Sequence, residues 1–233
     1  MITLRAGQTH NVSLSSDMRI TEANADSVAG WWLSGGISAG NVAGVWTPKG
    51  KASQAASYLR DAGDQGNANI DPAVVGGVAP SWDTLIGWTG NGSSMYLITG
   101  IVPLASWSWF VRFTGAATDA ARFLFGGDNG ASARFLCLPN LGNQVYYGNG
   151  GILTVTPRLT AGTLAAAGNA VYRDGNPETG TIGAWSGTAG GIYVLADNLG
   201  GPSGYTEASI SHIAFYKTVI TAVQNAALTA ATV

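Results

Sequence analysis

The stretch WSWFVRF, residues 107–113, alternates large apolar side chains with a second set of residues and predicts a β-strand. A strand points every second side chain to the same face of its sheet. The residues on the more apolar face are Trp107, Trp109, Val111 and Phe113. We therefore expect these four side chains to face the core, with Ser108, Phe110 and Arg112 on the opposite face.

Short runs of the same kind recur on both sides of this strand, each bounded by Gly, Asn, Asp or Pro. The expected strands are 27–33, 41–47, 57–59, 122–125, 133–138, 144–147, 170–173, 191–196 and 210–216. Asp174-Gly175 directly follows one of them and predicts a tight hairpin turn. Because no helical pattern separates these strands, the sequence predicts an all-β fold, an antiparallel β-sandwich or jelly roll.

Only the end of the chain has a helical pattern. Thr221 is suited to cap a helix, and Gln224 three residues later completes a capping box. Val223, Ala226 and Ala227 then share one face. We expect a short C-terminal helix of about two turns.

The composition limits the classes of function. Charged residues make up 10% of the 233 residues, the net charge is −2, and Lys and Arg form no basic run. We therefore expect no nucleic-acid partner, since binding of that kind needs a basic surface. No apolar run approaches the ~18 residues of a membrane helix, and Met1–Leu14 lacks the apolar stretch of a signal peptide. The single cysteine, Cys137, lies in an apolar run and is expected to be buried and unreactive.

Four stretches in order resemble the concanavalin A-like lectin/glucanase superfamily, in its laminin-G-like branch. GWTGNGSSMYL (87–97) resembles its turn and strand F-D-G-S-x-x-Y-L, and SWSWFVRF (106–113) resembles the strand that follows. VYRDG (171–175) resembles its L-Y-V-D-G hairpin, and ISHIAFYKTVITAVQ (210–224) resembles its closing strand and helix. The segments 29–32 and 59–67 resemble the opening found in phage tail and virion members.

This resemblance implies a lectin-like sandwich in a non-enzymatic accessory protein of a phage virion, head or tail, made in the host cytoplasm. Other virion proteins are its expected partners, and a host surface glycan is a further one. The alternatives are a carbohydrate-binding module outside a virion and a degenerate glycan hydrolase. The fold alone does not choose among them.

The carboxylates favour the non-enzymatic alternative. Glycoside hydrolysis needs two carboxyl groups that flank one bond, and the glucanases of the superfamily carry them as E-x-D-x-E. The only glutamates here are Glu22, Glu178 and Glu207, and none lies two residues from another acid.

No cofactor is expected, with calcium as the open alternative. Calcium prefers several oxygen ligands from loops, which Asp128 and Asn129 offer in one turn. The acidic loop 61–71 lacks the D-x-D-x-D-G spacing because Gly63 comes too early. We interpret its Asp and Asn residues as turn formers.

Several aromatic residues in the C-terminal half are candidates for stacking on sugar rings. They are Tyr146, Tyr147, Trp185, Tyr193 and Tyr205. The alternative is that they pack on the sandwich or at a subunit interface, where Tyr and Trp are enriched.

The chain is expected to divide into an arm, residues 1–25, and a sandwich domain, residues 26–233. The arm carries four apolar residues that would be costly to expose to water, namely Ile2, Leu4, Val12 and Leu14. We expect these residues to contact another chain, in a homo-oligomer such as a trimer. An edge strand of the same sandwich is the alternative.

Overall fold

In the computed structural model, residues 30–116, 119–128, 133–183 and 190–233 are described. The strands are β1 (Val42–Trp46), β2 (Ser81–Asp83), β3 (Gly87–Thr89), β4 (Leu97–Ile98), β5 (Ser108–Thr114), β6 (Phe125–Asp128), β7 (Arg134–Leu141), β8 (Gln144–Val155), β9 (Gly162–Ala167), β10 (Ala170–Arg173), β11 (Asn176–Pro177), β12 (Tyr193–Val194), β13 (Asp197–Asn198), β14 (Pro202–Ser203) and β15 (Ser209–Tyr216). The α-helices are α1 (Gln54–Ser57), α2 (Pro72–Val75) and α3 (Ala222–Ala231). Trp31–Leu33 and Ala39–Asn41 are short 3₁₀ helices.

Two antiparallel sheets form the sandwich. An eight-stranded sheet has the order β11-β10-β9-β5-β15-β3-β2, with β1 also paired to β15, and a five-stranded sheet has the order β4-β12-β6-β7-β8. A two-stranded ribbon, β13-β14, lies beside them. The predicted all-β sandwich with a short C-terminal helix is confirmed.

The core lies between the two sheets and is rich in aromatic rings. Trp107, Trp109, Val111 and Phe113 all belong to it, as their alternation predicts. Phe125 from the five-stranded sheet packs edge-on against Trp109 at 5.1 Å and Phe215 at 5.4 Å, centroid to centroid, and both partners belong to the eight-stranded sheet. Cys137 is buried in the same cluster, and its burial raises the pKa of the thiol.

A second apolar layer covers the outer face of the eight-stranded sheet. Phe110, predicted on this face, packs there with Trp31 and with Leu228 of α3. Trp31 contacts the buried His212 ring edge-on at 5.1 Å, and burial lowers the pKa of His212 to about 3. The terminal helix is therefore part of the fold rather than an appendage.

The two turn and cap signals are confirmed. Asp174 and Gly175 both have positive φ, 48° and 78°, as a tight hairpin turn with a left-handed backbone requires. The Thr221 hydroxyl accepts a hydrogen bond from the Gln224 N–H at 3.2 Å, and the Gln224 side chain accepts one from the Thr221 N–H at 2.8 Å.

Other expected elements differ. Trp31–Leu33 is a 3₁₀ helix and not a strand, because the indole N–H of Trp31 donates to the Thr47 hydroxyl at 2.8 Å and the ring turns into the second layer. Residues 57–59 do not form a strand, because Ser57 ends α1, Tyr58 is its C-cap, and Leu59 makes a single β-bridge with Asn69. On α3 the buried residues are Asn225 and Leu228, whereas Val223 is 74% exposed.

Within the described ranges, we find no helix long and apolar enough to cross a membrane.

We expect Phe125→Ala to lower the free energy of unfolding by about 3–5 kcal/mol, because it opens a cavity between the sheets at a fully buried aromatic contact. Urea denaturation measures this change. Val223→Ala, at an exposed position of α3, is the control and should stay within about 0.5 kcal/mol of the wild type. A loss below about 1 kcal/mol for Phe125→Ala would contradict the packing described here.

Candidate functional site

The outer face of the five-stranded sheet brings acidic, basic and aromatic side chains together. Because side chains alternate along a strand, burial of Phe125 in the core turns its neighbour Gly126 to the outer face. The residues that pair across the sheet in this outward row are Ile98, Tyr193, Gly126, Leu136 and Gly148. The next outward row holds Asp128, Arg134 and Gly150.

Two carboxylates come together beside this face. Asp128 forms an ion pair with Arg134, whose Nε lies 3.1 Å from its carboxylate. Asp197 of β13 lies against Gly126, so that a Cβ on that glycine would come within 2.1 Å of the Asp197 Oδ1. A side chain at position 126 would therefore exclude the Asp197 carboxylate from its place. We call Asp128 and Asp197 the carboxylate pair.

The electrostatics of the two carboxylates differ. Asp197 is 2% exposed, and its Oδ1 accepts a hydrogen bond from the Asn198 N–H at 2.8 Å. Burial, together with the negative charge of Asp128, raises the pKa of Asp197 to about 6, against the opposing effects of the Asn198 N–H and Arg134. The Asp197 carboxyl therefore holds its proton to a higher pH than an ordinary aspartate. Asp128 differs in having a guanidinium partner, Arg134.

Three half-buried tyrosines lie at the β4-β12 end of the same sheet. The ring centroid of Tyr96 is 5.2 Å from that of Tyr193 and 6.2 Å from that of Tyr205. The hydroxyl of Tyr96 donates to the Gly76 carbonyl at 3.2 Å, and that of Tyr205 donates to the Pro202 carbonyl at 3.1 Å. Burial and the two neighbouring phenols raise the pKa of Tyr96. We call these residues the tyrosine cluster.

Backbone contacts hold the cluster in place. The Arg122 guanidinium donates to the Tyr205 carbonyl at 2.9 Å and also to the Gly92 carbonyl. Tyr193 pairs with Ile98 on one side and with Gly126 on the other. Because Asp197 also lies against Gly126, the tyrosine cluster and the carboxylate pair adjoin each other.

The structure separates the predicted aromatic residues. It brings Tyr193 and Tyr205 together, and Tyr146 is half-buried on the outer face of β8, opposite Leu138. Tyr147 is fully buried and stacks on Trp109 at 6.0 Å, so its placement on a sugar-binding surface is corrected: this residue packs the core. Trp185 lies outside the described residues.

Sequence reasoning missed two members of the site. Tyr96 is the next-to-last residue of the GNGSSMYL motif and directly precedes β4, and its place in the motif was the available signal. Asp197 had no local signal, because its partner Asp128 is distant in sequence and only the sheet brings them together.

The remaining predicted positions are accounted for as follows. Asp128 is buried and ion-paired, whereas Asn129, Ile2, Leu4, Val12 and Leu14 lie outside the described residues. In the part of the chain that is described, no three His, Cys, Asp or Glu side chains surround a common point as metal ligands would.

Asp61, Asp64 and Asn69 of the acidic loop 61–71 have structural contacts. Asp61 pairs with Lys51, and Asp64 pairs with Lys217 at 2.9 Å. The Asn69 side chain accepts a hydrogen bond from the Asp71 N–H at 2.9 Å, as in an Asx turn.

Comparison with known proteins identifies a shared fold. No protein-family model and no curated protein matches the chain. Among solved structures, a mutant of Trypanosoma rangeli sialidase with trans-sialidase activity matches 91% of this chain and 38% of its own, with 11% identity and a TM-score of 0.58. The same sialidase in complex with sialic acid matches 93% of this chain and 39% of its own, with 12% identity and a TM-score of 0.56. The chain thus spans about two-fifths of the length of these sialidases.

The prediction that the chain is not an enzyme is wrong on this comparison, because the matching structures reported above are of a sialidase. Its premise was also incomplete. The absence of E-x-D-x-E excludes a carboxylate pair on one strand, but Asp128 and Asp197 meet from separate strands.

Asp197 predicts a measurable pH dependence of stability. The pKa of its carboxyl rises from 3.8 to about 6 on folding, so the folded state binds more protons between these values. Its contribution is therefore favourable at low pH and is lost as pH rises through about 6. We expect Asp197→Asn to gain stability relative to the wild type between pH 4 and pH 7, by up to about 3 kcal/mol.

Urea denaturation of both proteins across this pH range measures the difference, in which the contribution of His212 cancels. Asp83→Asn, at an exposed position, is the control and should follow the wild-type profile. A constant difference between Asp197→Asn and the wild type at all pH values would contradict the burial of the Asp197 carboxyl beside the Asp128 carboxylate.

Proposed function

We propose that this chain is a carbohydrate-recognition protein that binds a glycan on the outer face of its five-stranded sheet. The observation that carries the proposal is the tyrosine cluster next to the carboxylate pair. The fold is shared with Trypanosoma rangeli sialidase, two structures of which hold sialic acid or a difluoro analogue of it, and this likeness supports a carbohydrate ligand.

The chemistry of the face suits a sugar. A pyranose ring presents C–H groups on its faces and hydroxyls around its edge. The rings of Tyr96, Tyr193 and Tyr205 offer rigid apolar surface with a polar tip. Carboxylates accept hydrogen bonds from hydroxyls, and the Arg134 guanidinium donates them. The space above Gly126 and Gly148 is taken by the Asp197 carboxylate and the Leu136 side chain, so the half-buried tyrosine rings and Arg134 are the groups that a sugar would reach first.

We expect Tyr193→Ala to weaken glycan binding tenfold or more, since it removes one of the three rings of the cluster. A glycan array of sialylated and neutral sugars identifies the ligand, and calorimetry with the wild type and the variant measures the loss. Tyr193→Phe keeps the ring and is the matched control, with binding close to the wild type. If Tyr193→Ala binds the ligand as tightly as the wild type does, the cluster is not the site.

Hydrolysis of the bound glycan is the second candidate function, and the unequal environments of the carboxylate pair favour it. Asp197, with a pKa of about 6, suits a general acid, and Asp128 beside Arg134 is the candidate base or nucleophile. Glycan hydrolysis generally uses two carboxyl groups in these roles.

We expect any release of reducing ends or free sialic acid by the wild type to fall at least a hundredfold in Asp197→Asn and in Asp128→Asn. Glu207→Gln, which changes an exposed carboxylate elsewhere, serves as the control. Binding of the glycan with no turnover by the wild type would leave recognition as the function and exclude hydrolysis.

We further propose, on the sequence resemblance alone, that the protein is a phage virion accessory component made in the host cytoplasm. In this setting residues 1–25 contact another chain or another virion protein, and the glycan belongs to the host surface. A gene position among bacterial metabolic genes, and not beside capsid or tail genes, would contradict the virion setting and leave the glycan-binding proposal intact.

A further inference from the structure

A surface cleft of about 280 Å³ lies between the short helices α1 and α2, and the residues that line it include none of the tyrosine cluster or the carboxylate pair. Three polar side chains reach it, those of Gln54, Tyr58 and Asp71, and Pro72, Ala73 and Ala79 supply apolar walls. Binding pockets for drug-sized ligands begin at about 300 Å³. The cleft therefore suits a ligand of about one sugar ring.

The hydrogen-bonding groups of the cleft are largely acceptors. Both amide protons of Gln54 are used, because its Nε2 donates to the Tyr58 hydroxyl and to the Pro80 carbonyl, each at 2.8 Å. The Gln54 carbonyl oxygen is left as an acceptor. Asp71 caps α2 with Oδ1, which accepts from the Ala73 N–H at 2.9 Å, and a carboxylate has further acceptor capacity.

The charge of the cleft is negative. Asp71 is the one ionisable acid among the residues that line it, and within the described ranges it forms no ion pair. The charge of Asp71 acts on the other groups of the cleft, since Asp71 is among the groups that raise the pKa of Tyr58. A ligand with hydrogen-bond donors and a positive charge complements this arrangement.

We propose that this cleft binds a small hydroxylated primary amine, of the amino-sugar class, with its ammonium group on Asp71 and its hydroxyls on Gln54 and Tyr58. The site is separate from the glycan face and does not depend on the function proposed above. Its inner wall is rigid, because Tyr58 stacks on Trp88 at 6.1 Å and the Trp88 indole N–H donates to the Ser57 hydroxyl at 2.8 Å.

The experiment titrates the full chain with glucosamine at pH 6, and with glucose and N-acetylglucosamine as uncharged comparisons. Calorimetry measures affinity, and amide NMR follows the side chain of Gln54 and the indole N–H of Trp88. We expect both signals to shift with glucosamine, and at least tenfold weaker binding of the two uncharged sugars.

Asp71→Asn tests the charge while keeping the helix cap, since Asn caps as well as Asp does. We expect it to weaken glucosamine binding at least tenfold. Asp83→Asn is the matched control, because the Asp83 carboxylate also accepts a local backbone N–H, that of Leu85 at 2.8 Å, and lies outside the cleft. Tyr193→Ala should leave glucosamine binding unchanged, which separates this site from the glycan face.

Three results would overturn the proposal: no binding of glucosamine, equal binding of glucosamine and glucose, or wild-type affinity in Asp71→Asn. A folded Asp71→Asn protein, checked by its circular dichroism spectrum, makes the comparison valid.

Discussion

The contact of Phe125 with Trp109 and Phe215 is the interaction on which the rest of the molecule depends. It joins the two sheets through rings that are fully buried. Because side chains alternate along a strand, placing Phe125 in the core also decides what faces outward on β6. A register shift of one residue would turn Gly126 and Asp128 toward the core between the sheets and Phe125 toward the outer face. Core packing and the candidate site are thus two consequences of one register.

The outer face of the five-stranded sheet contains an arrangement that costs stability and that packing of the core does not require. Asp197 is buried near another carboxylate, a placement that disfavours its charged form. Gly126 is needed at this point because any side chain would take the space of the Asp197 carboxylate. Local features that cost stability concentrate at functional sites in proteins. The conjunction of a buried acid, its ion-paired neighbour and adjoining tyrosines is therefore a stronger argument for function than any of these features alone.

The likeness to sialidases is evidence for the fold only. The function has to be argued from the residues of the site. At 11–12% identity the shared architecture says that two sheets pack in a similar way. The glycan proposal rests instead on Tyr96, Tyr193, Tyr205 and the carboxylate pair. These groups yield separate measurements for recognition and for hydrolysis, so the two functions can be distinguished in one set of variants.

The sequence by itself determined the features that depend on near neighbours. Alternation in 107–113 predicted the core face of β5, Asp174-Gly175 predicted a hairpin, and Thr221 with Gln224 predicted the start of α3. The fold class follows from these signals, because turn chemistry and side-chain period act within a few residues.

Only the tertiary structure decided which segments with a strand-like pattern are not strands, and which aromatic residues pack in the core instead of lying on the surface. Trp31–Leu33 forms a 3₁₀ helix in which the Trp31 indole N–H donates to the Thr47 hydroxyl. Tyr147 lies in the core, where it stacks on Trp109. Asp128 and Asp197 meet because β13 lies against Gly126. In each case the deciding partner is distant along the chain, so no local pattern records the contact, and only the packing of the folded chain creates it.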